Sequence, residues 1–156
     1  MDLVFRTATL EDLPALVALE EQCFTSDRLT PRSFQWMISR AHGQLLVAEQ
    51  QAQVLGYALV LFHRGTSLAR LYSLAIAESA RGLGLGKRLL QRMEACALAH
   101  DCAYLRLEVR TDNPAAIALY ERNGYRRFAL VPDYYQDHAD ALRLDCLLYT
   151  SPSPRD

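Results

Sequence analysis

Cysteine is scarce: there are four, and Cys23, Cys96, Cys102 and Cys146 form no C-x-x-C pair, which argues against a disulfide scaffold and a zinc cluster. His42, His63, His100 and His138 show no metal-ligand spacing, and no metal is expected. The longest strand-like apolar run, Tyr57 to Phe62, is far too short to span a bilayer. Met1-Asp2-Leu3 does not begin a basic segment followed by a long apolar one, so no signal peptide is expected. An excess of positive charge is also missing. The formal net charge is −1, which argues against general adhesion to nucleic acid. These absences predict a cytoplasmic protein with reduced thiols and neither a nucleic-acid nor a membrane partner. Lysine is nearly absent too, since Lys87 alone among 17 basic residues is not arginine; this matches the bias of a GC-rich gene.

What is present suits one compact domain. The 156 residues are 51% hydrophobic and 22% charged, the balance of a folded globular chain. The charge is unevenly spread: residues 1–61 carry −3, 62–131 carry +5, 132–145 carry −3, and the remainder balances. A basic middle between acidic flanks suits an anionic ligand held at one place.

Periodicity gives the element order. Leu3 to Phe5 reads as a short strand. Thr9 and Asp12 form a capping-box pattern before Leu10, Leu13, Leu16 and Val17, with Pro14 late enough to make the start of that helix irregular. Thr30-Pro31 opens a second helix carrying Phe34, Met37 and Ile38, with Gly43 as its end. Gln44 to Ala48 and Val54 to Phe62 read as a hairpin joined by Glu49-Gln50-Gln51, and Leu68 to Ile76 as a third strand. Leu85, Leu89, Met93 and Cys96 lie on one helical stripe. Leu105, Leu107 and Val109 alternate with polar residues as a strand. Asn113-Pro114 starts another helix, ended by Asn123-Gly124, and Tyr125 to Val131 and Ala139 to Leu144 finish as strands. The order β-α-α-β-β-β-α-β-α-β-β is that of a mixed α/β domain.

The last residues stand apart. Cys146 to Asp156 resembles the translation of a transposase-end sequencing adapter, so the expected organisation is a domain over 1–145 and a non-native tail over 146–156.

Arg81-Gly82-Leu83-Gly84-Leu85-Gly86 sits between a strand and a helix. Backbone N–H groups there, with the helix N-terminus, can hold a phosphate or pyrophosphate, and Arg81, Lys87 and Arg88 would add charge. A turn that merely lets the helix pack closely is equally compatible with the hexapeptide. A P-loop is excluded because Arg81 and Arg88 stand where it needs glycine and Ser or Thr. A dinucleotide fingerprint is excluded because Lys87 or Leu89 stands where it needs its third glycine.

The Arg-x-x-Gly-x-Gly spacing, with the strand Leu71-Tyr72-Ser73-Leu74-Ala75-Ile76 before it and Asn113-Pro114 to Gly124-Tyr125 after it, resembles the GNAT superfamily of acyl-CoA-dependent N-acyltransferases. The resemblance runs from Leu3 to Leu144. Leu107-Glu108-Val109-Arg110, followed by Asn113 and Tyr120, is similar to the ribosomal-protein alanine N-acetyltransferases of the RimI type. It implies a GNAT fold, α/β with a mixed central sheet of about seven strands flanked by four helices.

The resemblance also implies roles. Arg81 to Lys87, namely Arg81, Gly82, Leu83, Gly84, Leu85, Gly86 and Lys87, would bind the pyrophosphate of acetyl-CoA. The backbone of Leu74, Ala75 and Ile76 would pair with the pantetheine arm and offer N–H groups to a developing oxyanion. Asn113 would contact the cofactor, though a plain helix N-cap explains it as well. An α-amino group of pKa roughly 8 must lose a proton before it attacks a thioester, and Glu108 would be the general base, acting through water. On its strand Glu108 shares a face with Arg106 and Arg110 and could simply pair with them. Tyr120 would be the acid that protonates the leaving thiolate, against the ordinary reading of a packed tyrosine. Tyr134 and Tyr135, near Asp137 and Asp140, match the loop that binds a substrate N-terminus. The implied activity is acetyl transfer from acetyl-CoA directly to a primary amine, most naturally a peptide or protein N-terminus. Lysine or small-molecule amine acetylation and a non-catalytic acyl-CoA-binding domain are the alternatives.

Overall fold

The computed structural model describes residues 2–40 and 42–148. Of the tail that the sequence sets apart, 149–156 lies outside the described residues, while Cys146 and Leu147 complete the last strand. In chain order the elements are β1 (Val4–Thr7), α1 (Leu13–Cys23), α2 (Pro31–Ser39), β2 (Gly43–Gln50), β3 (Gln53–Phe62), β4 (Leu68–Ile76), α3 (Leu85–Ala99), β5 (Tyr104–Arg110), α4 (Pro114–Arg122), β6 (Arg126–Val131) and β7 (Ala141–Leu147). The order is the one that periodicity predicts, and it yields an α/β domain with a seven-stranded mixed sheet and four α-helices among the described residues.

Local chemistry explains most boundaries. Thr9 and Asp12 do form a capping box, around a 3-10 turn at Leu10–Asp12 that accounts for the irregular start of α1. The Thr30 hydroxyl accepts from the Ser33 N–H at 3.0 Å and caps α2, whose first residue is Pro31. Two expectations shift. The β2–β3 turn lies at Gln51-Ala52, both with positive φ (54° and 64°), because β2 keeps pairing through Gln50. Gly43 begins β2 instead of ending α2, which stops at Ser39.

The sheet order is β1-β2-β3-β4-β5-β7-β6. Every pairing is antiparallel except β4 with β5, which is parallel. Neighbouring residues on β3 separate the two faces, since successive side chains of a strand point opposite ways. Tyr57 packs edge-on against Phe34 of α2 (ring centroids 5.6 Å), so α1 and α2 cover that face. Gly56 faces α3, where an added Cβ would lie 3.3 Å from Leu89 Cδ1 and 2.9 Å from the Ala75 carbonyl oxygen. The core on that side is Leu85, Leu89, Leu90, Met93 and Ala97, all buried; of the stripe that the sequence shows on α3, Cys96 is only half-buried.

The sheet opens at its parallel pair. β4 and β5 are bonded only at Leu68–Arg70 with Tyr104–Arg106. The register between β3 and β4 slips at this point, with Leu59 opposite Ser73 and Val60 opposite Leu71. Tyr72 is thus the extra residue of a β-bulge, a device that bends a strand and redirects its edge. Beyond the bulge β4 stays with β3 while β5 stays with β7, and a cleft lies between them.

Candidate active site

The cleft holds a cavity of about 760 Å³, walled by Leu71, Tyr72, Ser73 and Leu74 from β4 and by Leu107, Glu108, Val109 and Arg110 from β5. Glu20 and Cys23 of α1, Asn113, Ala116 and Tyr120 of the α4 region, and Tyr134 and Tyr135 of the β6–β7 loop complete much of the lining.

Past the end of β4 lies the glycine loop, whose residues do not line this cavity. Gly82 and Gly84 have φ of +85° and +75°, and nothing lies within 4 Å of a Cβ placed on either. The left-handed backbone favours glycine there, and the open space leaves the backbone accessible to a ligand. α3 begins at Leu85 with Gly84 as its N-cap, so the unpaired N–H groups of its first turn face the loop. Gly86 has a different reason: a Cβ there would sit 3.2 Å from Leu119 of α4. Lys87, Leu83 and Arg81 are exposed while Leu85 is buried. Arg81 turns back toward β4, donating from Nε to the Ile76 carbonyl at 3.4 Å; the Cys23 thiol donates to the same carbonyl at 3.3 Å. Arg88, which the sequence suggests as extra loop charge, instead lies over the Phe5 ring at 5.1 Å. The residues present fit a pyrophosphate: bare backbone donors, a helix N-terminus and two exposed cations.

Leu74 and Ser73 line the cavity directly, whereas Ala75 and Ile76 continue β4 toward the loop without lining it. Their side chains belong to the core, with Ala75 buried. Asn113 both lines the cavity and caps α4, its side-chain oxygen accepting from the Ala116 N–H at 3.2 Å.

Glu108 is where the sequence expects a catalytic carboxylate, but its partners differ from the neighbours on its own strand. Arg106 pairs with Asp145 (3.5 Å) and Arg110 with Asp112 (3.0 Å) and Asp137 (2.6 Å). Glu108 Oε1 accepts from Arg70 of β4 at 2.6 Å and Oε2 from Arg143 of β7 at 2.8 Å. Arg143 stands directly across the β5–β7 ladder, and the Glu108 side chain is only 7% exposed. The Tyr134 hydroxyl accepts from Arg70 at 2.8 Å and donates to Glu108 at 3.5 Å. Tyr134 of the β6–β7 loop is therefore tied to the carboxylate, and Tyr135 packs edge-on against Tyr134 at 4.9 Å.

Asp137 and Asp140 are already used. Asp137 is bound by Arg110, which holds its carboxyl below the usual range, and Asp140 accepts the Asp133 N–H at 2.9 Å. The same loop is fastened across the cavity mouth. The Asp27 N–H donates to the Gln136 side chain and the Gln136 N–H to the Asp27 carboxylate, each at 3.1 Å. Tyr120 is buried against Tyr125 (5.9 Å), and its hydroxyl has no hydrogen-bond partner among the described residues. Burial pushes that phenol up to about 12, which keeps it a proton donor.

Sequence reasoning overlooked Glu20. It is 2% exposed, its Oε2 accepts the Leu29 N–H at 2.7 Å, and its Oε1 accepts the Tyr57 hydroxyl. Its position was detectable, since Leu13, Leu16, Glu20 and Cys23 share one helical stripe and an acid on an apolar stripe calls for a reason.

A family model described as the acetyltransferase (GNAT) family matches residues 13–125. An uncharacterized N-acetyltransferase of Methanocaldococcus jannaschii is 33% identical over 141 residues, covering 90% of this chain and 88% of that protein. An N-alpha-acetyltransferase of Sulfolobus acidocaldarius is 30% identical over 148 residues, covering 87% of each. The crystal structure of the ribosomal-protein-S18-alanine N-acetyltransferase from Escherichia coli superposes with a TM-score of 0.85 at 23% identity, covering 97% of both chains, a likeness of fold. With a matching family model over most of its length, a cleft at the parallel strand pair and a glycine loop beside it, this chain belongs to the GNAT family and is an acetyltransferase.

Proposed function

We propose that the chain transfers the acetyl group of acetyl-CoA directly to a primary amine, the α-amino group of a peptide or protein N-terminus. The observation that carries this reading is one cleft lined by the open edge of β4 at Leu71 to Leu74 and by Tyr134 and Tyr135, with β4 leading from it toward a glycine loop suited to a pyrophosphate. Acetyl-CoA supplies an activated thioester, and the chain supplies orientation, charge and protons.

In this reading Gly82, Gly84 and the first turn of α3 hold the pyrophosphate, with Arg81 and Lys87 as counter-charges. The unpaired edge of β4 near Leu74 to Ile76 receives the pantetheine arm and stabilises negative charge on the attacked carbonyl oxygen. Asn113, at the cavity wall, contributes a polar contact beside its capping bond. Tyr120 gives its proton to the departing thiolate and recovers one from the acylated nitrogen; the high phenol pKa suits this donor role. Tyr134 and Tyr135 hold the acceptor.

Glu108 takes a narrower part than the general base that the resemblance implies. Both of its oxygens accept charge-assisted hydrogen bonds from arginine, which fix the carboxylate in place. We assign it to drawing in and orienting the acceptor ammonium.

The test is a mass-spectrometric screen of N-terminal peptides, lysine-containing peptides with blocked N-termini, and free polyamines, each with acetyl-CoA. Acetylation confined to free peptide N-termini is the expected result. Turnover of blocked peptides or polyamines without N-terminal acetylation would reject the acceptor assignment.

A further inference from the structure

The acceptor ammonium must lose a proton, and Glu108 is already bound by two arginines. A second carboxyl borders the same cavity. Glu20 lies on α1 at the cavity wall, and two hydroxyls in series join it to the β4 side of the cleft. Tyr57 of β3 donates to Glu20 Oε1, and the Tyr57 hydroxyl lies 2.7 Å from Ser73 Oγ on the bulged part of β4. Ser73 lines the cavity.

The direction of this chain is fixed by counting protons. Oε2 of Glu20 accepts from the Leu29 N–H and Oε1 accepts from Tyr57. Tyr57 has one hydroxyl proton, and it points at Glu20. Ser73 must therefore donate its own proton to Tyr57, and its remaining lone pair is left for a donor in the cavity. An ammonium or amine N–H is such a donor.

We propose that Ser73, Tyr57 and Glu20 form a proton relay that takes the proton from the acceptor amine. This deepens the reading of the cleft as an amine acetyltransferase site and rests on it. In the step, an N–H bond of the ammonium breaks as an O–H bond forms on Ser73. The Ser73 proton passes to the Tyr57 oxygen, and the Tyr57 proton passes to Glu20 Oε1. The ammonium becomes a neutral amine and the carboxylate a neutral acid, so charge and protons balance. Once product leaves, Glu20 returns its proton to solvent along the same hydroxyls.

The surroundings suit a terminal proton acceptor. Burial raises the Glu20 carboxyl, opposed by hydrogen bonds from Tyr57 and the Leu29 N–H and by Arg28. A carboxyl raised toward working pH is a better base than an ordinary one. Burial likewise raises the Tyr57 phenol, helped by Glu20 and by Cys23 and opposed by Ser73, so Tyr57 gives up one proton only as it takes another and stays a neutral phenol. Arg28 thus acts on Glu20 and Cys23 on Tyr57 from outside the relay, while Arg70 and Glu108 line the cavity that Ser73 borders.

Three variants test it with acetyl-CoA and an accepted peptide. Ser73→Ala and Tyr57→Phe cut the relay. Glu20→Gln keeps both contacts but reverses the one with Tyr57, because its carbonyl still accepts from Leu29 while its amide donates to Tyr57. Each variant is expected to lower kcat by roughly 100-fold or more, the low end of general-base contributions, with acetyl-CoA affinity unchanged. Wild type should give a bowed proton inventory in mixed H2O and D2O, and Ser73→Ala a linear one. Wild-type kcat in Ser73→Ala and Tyr57→Phe, or an inventory unaltered by Ser73→Ala, would overturn the relay while leaving the acetyltransferase reading intact. A wild type that acetylates no amine would overturn both.

Discussion

Arg70 binds two functional groups through one nitrogen: its Nη2 donates to Glu108 at 2.6 Å and to the Tyr134 hydroxyl at 2.8 Å. A residue of β4 thereby sets the position of a carboxylate on β5 and of an aromatic wall on the β6–β7 loop. Its Nε is buried and unpartnered among the described residues, so the side chain is held for what Nη2 does.

Replacing Arg70 with Met should release both partners. A hydrogen bond to a charged group contributes about 1.5–3 kcal/mol, so KM for the acceptor peptide should rise about tenfold or more in steady-state assays. Arg70→Lys should recover only part of this, since an ammonium lacks the planar fork. Equal KM values in wild type and Arg70→Met would show that Glu108 and Tyr134 do not orient the acceptor.

Tyr120 gives a pH prediction. Its phenol is pushed up to about 12 by burial, above the unfolded value near 10, so the folded protein keeps the protonated acid through the alkaline range of ordinary assays. Tyr120→Phe should lower kcat by about 100-fold, within the range of general-acid contributions. It should leave the shape of the kcat profile between pH 7 and 10 unaltered. If an alkaline limb below pH 10 vanished in the variant, Tyr120 would be titrating there and its environment would be misassigned.

Gly84 separates geometry from charge. At φ +75° with open space around it, Asn is tolerated better than most residues, while Asp adds a negative charge at the proposed pyrophosphate. Gly84→Asp should weaken acetyl-CoA binding at least tenfold by calorimetry, and Gly84→Asn should cost much less. Equal losses in the two variants would assign the effect to backbone strain and remove the anion site.

The buried Glu20 links stability to pH. A folded-state carboxyl raised by burial contributes stability below its unfolded pKa and loses it as pH rises through the folded value. Glu20→Gln should therefore melt at the same temperature as wild type or higher at pH 7, and the difference should move in favour of wild type as pH falls toward 4.5. A variant much less stable at pH 7 would mean that the carboxylate is held charged by stronger contacts than Tyr57 and Leu29.

Most of the scaffold was legible because its signals are local. The Thr30 and Asn113 caps, the limits of β4 and the left-handed glycines of the loop are each set within a few residues of chain. The candidate site was legible in its motif residues and obscure in their partners. Glu108 faces Arg106 and Arg110 along its own strand, and only pairing across strands brings Arg70 and Arg143 to it. Glu20 lies on the apolar stripe of α1 and Glu21 off it, so burial of one and exposure of the other follow the helical period, but the partner of Glu20, Tyr57, lies 37 residues away and only packing brings it. Asp137 read as free acidity until Arg110, 27 residues earlier, claimed it.

The short seam between β4 and β5 has a mechanical consequence. Three residue pairs join these strands, whereas seven join β5 to β7, so the sheet is two well-knit halves meeting along a weak line. The cleft is the unzipped continuation of that line. Any flexing of one half against the other widens or narrows it, and a ligand seated there would act as a splint, bracing the joint at which the molecule bends most easily.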